Sequence, residues 1–147
     1  MNSLFQQIVF IDDDEATNFL NRIITNSLKI TNQVVLFDNP KEAISHLKQQ
    51  LPNGPELLFL DINMPEMDGW EFLKYFEEIQ QQQQVPTKLF LLTTSNSQRD
   101  MIKSRYHSLV NEFIQKPLSR RHIKDILAKH YSLNYQNYDF TNQNFAN

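Results

Sequence analysis

The 147-residue chain contains no cysteine. That excludes disulfides, thiolate metal sites and cysteine nucleophiles, and it suits a reducing compartment. Glycine is scarce too, with only Gly54 and Gly69. No apolar run approaches the roughly 20 residues that a membrane-spanning helix needs. The opening "MNSLFQQ" lacks the basic start and long apolar stretch of a secretory signal. A soluble cytoplasmic protein is the expectation. Apolar residues make up 40% of the chain, enough for a real core, and the length fits one domain.

Charge is unevenly spread. Residues 1–96 carry 6 basic and 13 acidic side chains, net −7, whereas residues 97–131 carry 8 basic and 3 acidic, net +5. The basic charges are scattered rather than blocked, as on the solvated outer faces of two helices. A partner-binding face is the alternative. Residues 132–147, "SLNYQNYDFTNQNFAN", hold no lysine or arginine and are rich in Asn, Gln, Tyr and Phe without a clean period. A flexible tail is expected there.

The apolar pattern alternates between two kinds of segment. Ile8–Ile11, Gln33–Phe37, "ELLFL" before Asp61, Lys88–Leu92 and "EFIQ" before Lys116 read as strands, several of them continuous apolar runs that suit burial on both faces. Between them the apolar residues recur at helical spacing: Ala16, Phe19, Leu20, Ile23, Ile24 and Leu28; Ala43, Ile44, Leu47 and Leu51; Trp70, Leu73, Phe76 and Ile79; Met101, Ile102 and Leu109; Ile123, Ile126 and Leu127. Helix-start signals agree. Asn39 followed by Pro40 and then Glu42 opens the second helix, while Ser97 and Ser119 can cap the fourth and fifth. "PNGP" (Pro52–Pro55) is a turn, and Gln80–Gln84 a polar helix end or surface loop.

Five alternations of strand and helix predict an α/β fold with a doubly wound parallel sheet. Ligands of such sheets bind at the carboxyl ends of the strands. The ends of the first, third, fourth and fifth strands deliver Asp12 and Asp13, Asp61, Thr93 and Lys116 to one rim. Three convergent carboxylates repel unless some are protonated or a cation sits among them. An all-oxygen set with open positions suits Mg²⁺. A lysine and a hydroxyl beside such a carboxylate can receive a phosphoryl group, and carboxylates do act as nucleophiles to form aspartyl phosphates. Asp14 and Glu15 read instead as the cap and first turn of the next helix. The histidines His46, His107, His122 and His130 show no paired-ligand spacing and read as solvated or structural.

Four segments, "FIDDDE", "FLDINMPEMDGW", "LFLLTTS" and "FIQKPL", resemble the signature segments of the response regulator receiver domain of two-component signalling. The resemblance covers residues 5–131, and its most specific part is "LDINMPEMDG". It implies a flavodoxin-like sheet of order 2-1-3-4-5 with five helices. It implies that Asp61 is the phosphoacceptor, that Asp13 binds Mg²⁺ directly with Asp12 as its neighbour, and that Asn63 offers its backbone carbonyl to the metal. Thr93 and Lys116 would close on the phosphoryl group, the Lys116–Pro117 bond would be cis, and Phe113 would stand at the aromatic switch position. Thr94 departs from the small residue frequent there, and "YHSLVNEF" lacks the usual Gly–Ala. Implied partners are a sensor histidine kinase or phosphotransfer protein upstream and a protein contact or phosphorelay downstream. After the last helix too little chain remains for a DNA-binding output domain. The basic face could also serve a homodimer.

Other chemistries compete for the same residues. A dehalogenase-like Mg²⁺ phosphatase needs D-x-D at the nucleophile, but Asp61 is followed by Ile62 and Asn63; Asp12–Asp14 has the pattern but leaves "LDINMPEMDG" unexplained. A flavin or nucleotide binder on this architecture wants a helix N-terminus open to phosphate, and acids here repel it. A receiver that no longer takes phosphate keeps its fold as a binding module.

Overall fold

The computed structural model describes residues 3–94 and 96–133. Five strands, β1 (Phe5–Ile11), β2 (Thr31–Phe37), β3 (Leu57–Asp61), β4 (Lys88–Thr93) and β5 (Val110–Gln115), alternate with five helices. These are α1 (Glu15–Ser27), α2 (Pro40–Gln50), α3 (Gly69–Gln81), α4 (Gln98–Arg105) and α5 (Arg120–Tyr131). The strands form one parallel sheet in the order β2-β1-β3-β4-β5. The topology reverses between β1 and β3, where doubly wound sheets open a crevice.

Strand alternation divides the interior into two cores. Val9, Ile11, Leu58, Leu60, Leu89 and Leu91 face one way, toward Ala43 and Leu47 of α2 and Phe72, Leu73, Phe76 and Ile79 of α3. Ile8, Phe10, Leu57, Phe59, Phe90 and Leu92 face the other, toward Ile123, Ile126 and Leu127 of α5. Phe10, Phe59 and Phe90 stand in register on neighbouring central strands. Their rings stack at 4.8 and 5.4 Å between centroids, which pins strand register, because a one-residue slip would turn every ring to the opposite face.

The expected caps are present. Asp14, Asn39, Ser97 and Ser119 each accept a backbone N–H of their own first turn. Ser119 and His122 close a reciprocal capping box. Beyond α5, Ser132 turns left-handed (φ 54°) and Leu133 packs onto the core; the rest of the expected tail lies outside the described residues. No helix among the described residues is long and apolar enough to cross a membrane.

Two helices face differently from their apolar pattern. In α1, Phe19 and Leu20 are 57% exposed and Ile23 48%, and Ala16 is exposed as well. Its buried residues are Asn18, Asn21 and Thr25. The cause is at the helix start. Asn18 Nδ2 donates to the backbone carbonyls of Asp12 (2.9 Å) and Phe37 (3.1 Å). It thereby satisfies the buried Asp12 carbonyl, adds a second donor to Phe37 O, which also accepts the Asp12 N–H at 3.0 Å, and fixes the helix's rotation, so the apolar ridge is left in solvent. In α4, Met101 and Ile102 are exposed, Ser104 is the buried residue, and Leu109 lies beyond the helix, half-buried. The helix, only 8 residues long, thus gains little from apolar burial.

Candidate functional site

Four strand ends build the site. Asp12 follows β1 and is 3% exposed; Asp61 is the last residue of β3 and 5% exposed; Thr93 ends β4 and is fully buried. Lys116 follows β5, its backbone N–H donating to Thr93 O at 2.8 Å, which brings the lysine against the rim. Its ammonium lies 2.6 Å from Asp12 Oδ2 and 3.5 Å from Asp61 Oδ1. The Lys116–Pro117 bond is cis, as expected, and so is Leu51–Pro52. Asp13 is exposed, and one carboxylate oxygen each from Asp12, Asp13 and Asp61 lie within 4.8 Å of one another.

The loop after Asp61 is fixed from both ends. Asn63 N–H approaches Asp61 Oδ1 at 3.4 Å, and Met64 and Met67 are buried in the core as anchors. Gly69 N–H donates to Ile62 O at 2.8 Å. A Cβ on Gly69 would come within 2.9 Å of Asp61 O, so the close approach of α3 to the third strand requires glycine here. Asp68 caps α3 through Glu71 N–H. Asp12 is held by Asp14 N–H on Oδ1 (2.9 Å) and, through its backbone carbonyl, by Asn18. Asn18 escaped the sequence reading because a lone asparagine in an amphipathic stretch looks like any solvated polar residue.

Burial raises the Asp61 carboxyl from 3.8 to about 6, and the neighbouring charge of Asp12 adds to that, while Lys116 and the Asn63 N–H oppose it. Burial alone would lower the Lys116 ammonium. The Asp12 hydrogen bond and charge, then Asp61, outweigh it and raise the lysine above its ordinary value. At neutral pH Asp61 is therefore an ionised carboxylate with a deficit of solvation, next to a fixed cation. Such a group is a competent nucleophile toward an electrophilic phosphorus and gains from any further cation nearby.

Phe113, on β5, is half-buried against the α2/α3-side core. It lines a cleft of about 490 Å³ with Met101, Ser104, Arg105, Val110 and Lys129. Thr94 is exposed. Three of the histidines have partners outside the Asp12, Asp13 and Asp61 cluster: His46 ring N is 3.4 Å from Gln7 Oε1, His122 closes its cap, and His130 pairs with Glu112 at 2.6 Å.

The family model for the response regulator receiver domain matches residues 8–128. The chain belongs to that family. Among relatives of this receiver domain, Response regulator Rcp1 of Synechocystis is 28% identical over 123 residues, 81% of this chain and 80% of that protein. Hybrid signal transduction histidine kinase L of Dictyostelium discoideum is 28% identical over 89 residues, 60% of this chain; the match spans only 5% of that much longer protein. A two-component response regulator of Cytophaga hutchinsonii superposes with a TM-score of 0.79 at 26% identity, covering 88% of this receiver and 98% of that chain. The CheX–CheY complex of Borrelia burgdorferi, which holds beryllofluoride and Mg²⁺, reaches 0.72 at 21% identity, over 86% and 89% of the chains.

Proposed function

We propose that the receiver takes a phosphoryl group from a phosphohistidine onto Asp61 and relays the change to a protein-binding face. The observation that supports this best is the buried Asp61 carboxylate at the β3 end, with Lys116 Nζ at 3.5 Å and Asp12 and Asp13 beside it. In the transfer, an Asp61 carboxylate oxygen attacks phosphorus, the N–P bond of the donor breaks, and the imidazole, already protonated on its other ring nitrogen, leaves with the electron pair as a neutral ring. The product is an aspartyl phosphate, which water later hydrolyses.

Mg²⁺ fits the donor set, because Asp12, Asp13 and Asp61 present clustered oxygens and the Asn63 carbonyl follows two residues after the acceptor. When bound, the ion supplies charge neutralisation for the phosphoryl oxygens. Lys116 pairs with the phosphoryl group in place of Asp12, and the Thr93 hydroxyl donates to it. Thr93 and Phe113 together carry the switch to the face made by α4, β5 and α5. Residues 5–131 form the signalling unit, in the cytoplasm.

The donor, a histidine kinase or a phosphotransfer protein, has a landing surface at hand. The exposed Phe19, Leu20 and Ile23 lie on α1, the helix that Asp14 caps directly after the acidic Asp12 and Asp13. Intact-mass spectrometry after incubation with acetyl phosphate and Mg²⁺ tests the acceptor. A single phosphoryl adduct, lost in Asp61→Asn and in EDTA, is expected. No adduct, together with no beryllofluoride binding, would leave a phosphate-independent binding module.

A further inference from the structure

Helix α4 is held unlike its neighbours. Helices α2, α3 and α5 each bury three or more apolar residues, whereas the buried residue of α4 is Ser104. On one side of α4 lies the 490 Å³ cleft toward Val110, Phe113 and Lys129. On the other side stands Trp70, the second residue of α3. Its Nε1 donates to Asp100 Oδ1 at 3.3 Å. Lys103 Nζ sits over its ring, 4.5 Å from the centroid. The His107 ring, just past α4, lies 6.1 Å away. One side chain therefore touches the start, the middle and the exit of α4.

Trp70 is also tied to the acceptor. It follows Gly69, whose N–H is bonded to Ile62 O and whose Cα is too close to Asp61 O to admit a Cβ. A shift of the Asp61–Asn63 backbone therefore reaches the indole through two peptide units. We propose that Trp70 is a positioning residue of the switch, a latch that clamps α4 to α3 while Asp61 is unmodified and releases it toward the cleft when Asp61 is phosphorylated. The inference rests on the phosphoacceptor reading above. A long hydrogen bond and a half-exposed cation–π contact are weak, which is what a latch requires, since phosphorylation can bias the helix only by the difference between its two states. Thr93 reaches α4 through the chain; Trp70 reaches it through space.

Trp70 is the sole tryptophan, so its fluorescence in the full chain reports on the latch directly. Titration with beryllofluoride in the presence of Mg²⁺ should change its emission. Lys103→Met removes the cation and keeps the bulk; Trp70→Phe removes the N–H and weakens the ring contact. Both should bind beryllofluoride more tightly, by about two- to threefold and about five- to tenfold respectively, measured by ¹⁹F NMR. Hydrogen exchange of α4 in both variants should rise toward that of the beryllofluoride-bound parent. A purely structural Trp70 would lower thermal stability and leave affinity unchanged or weaker. Beryllofluoride binding with unchanged emission, or with both variants within about 1.5-fold of the parent, overturns the latch. No binding to the parent overturns the phosphoacceptor reading, and the latch falls with it.

Discussion

Replacing Asp61 by asparagine should make the metal-free protein more stable at neutral pH. Folding raises the Asp61 carboxyl from 3.8 to about 6, because burial and the Asp12 charge disfavour its ionised form. Between those two values the folded chain keeps a proton that the unfolded chain has released. Stability therefore falls as pH rises through that window, and the loss is complete above about pH 6. A shift of roughly two units corresponds to about 3 kcal/mol at 1.36 kcal/mol per unit. Asparagine has nearly the same shape and cannot ionise. Its advantage should be near zero below pH 4, open between pH 4 and 6, and level off at about 2–3 kcal/mol by pH 7. In thermal terms that is roughly 5–10 °C. Urea unfolding followed by circular dichroism in EDTA, at half-unit steps from pH 4 to 7.5, reads it. Saturating Mg²⁺ should narrow the gap, since the ion stabilises the parent's carboxylates. If Asp61→Asn is no more stable than the parent at pH 7, or if its gain is the same at pH 4, the account of a pocket that disfavours the ionised Asp61 through burial and the Asp12 charge is wrong.

Three further outcomes follow from the geometry. Asp13→Asn should abolish the rise in Tm that millimolar Mg²⁺ gives the parent, while changing metal-free stability by less than about 0.5 kcal/mol, because Asp13 is exposed; differential scanning fluorimetry with a Mg²⁺ series measures both. Gly69→Ala should cost about 1–3 kcal/mol in urea unfolding and slow phosphorylation, since its Cβ must displace the Asp61 backbone. Phe19→Ser should change stability by under about 1 kcal/mol, because the ring is 57% exposed. The same variant should weaken phosphotransfer from a protein donor while leaving acetyl phosphate labelling intact; equal loss with both donors would remove the donor-docking role of α1.

Much of this protein was legible in its residues. Apolar runs at Ile8–Ile11 and Leu57–Leu60, bounded by caps such as Asn39-Pro40 and Ser119, determine a parallel α/β sheet, because a strand buried on both faces leaves little room for polar side chains. The strand ends likewise announced Asp12, Asp13, Asp61, Thr93 and Lys116, since parallel strands in a single sheet present their carboxyl ends to one side. The orientation of helices was not legible. In α1 the apolar stripe of Phe19, Leu20 and Ile23 points to water because Asn18 turns inward to bind the carbonyls of Asp12, just past β1, and Phe37, at the end of β2. Those carbonyls are separated from it in sequence, and periodicity carries no record of them. Met101 and Ile102 stay exposed as well, on a short helix whose buried residue is the polar Ser104. The pull between Lys116 and its two aspartates is also tertiary, because the partners of a 2.6 Å contact come from strands 104 residues apart. Local pattern determines which elements form; the long-range pairing of buried polar groups decides which way they turn and what charge they feel.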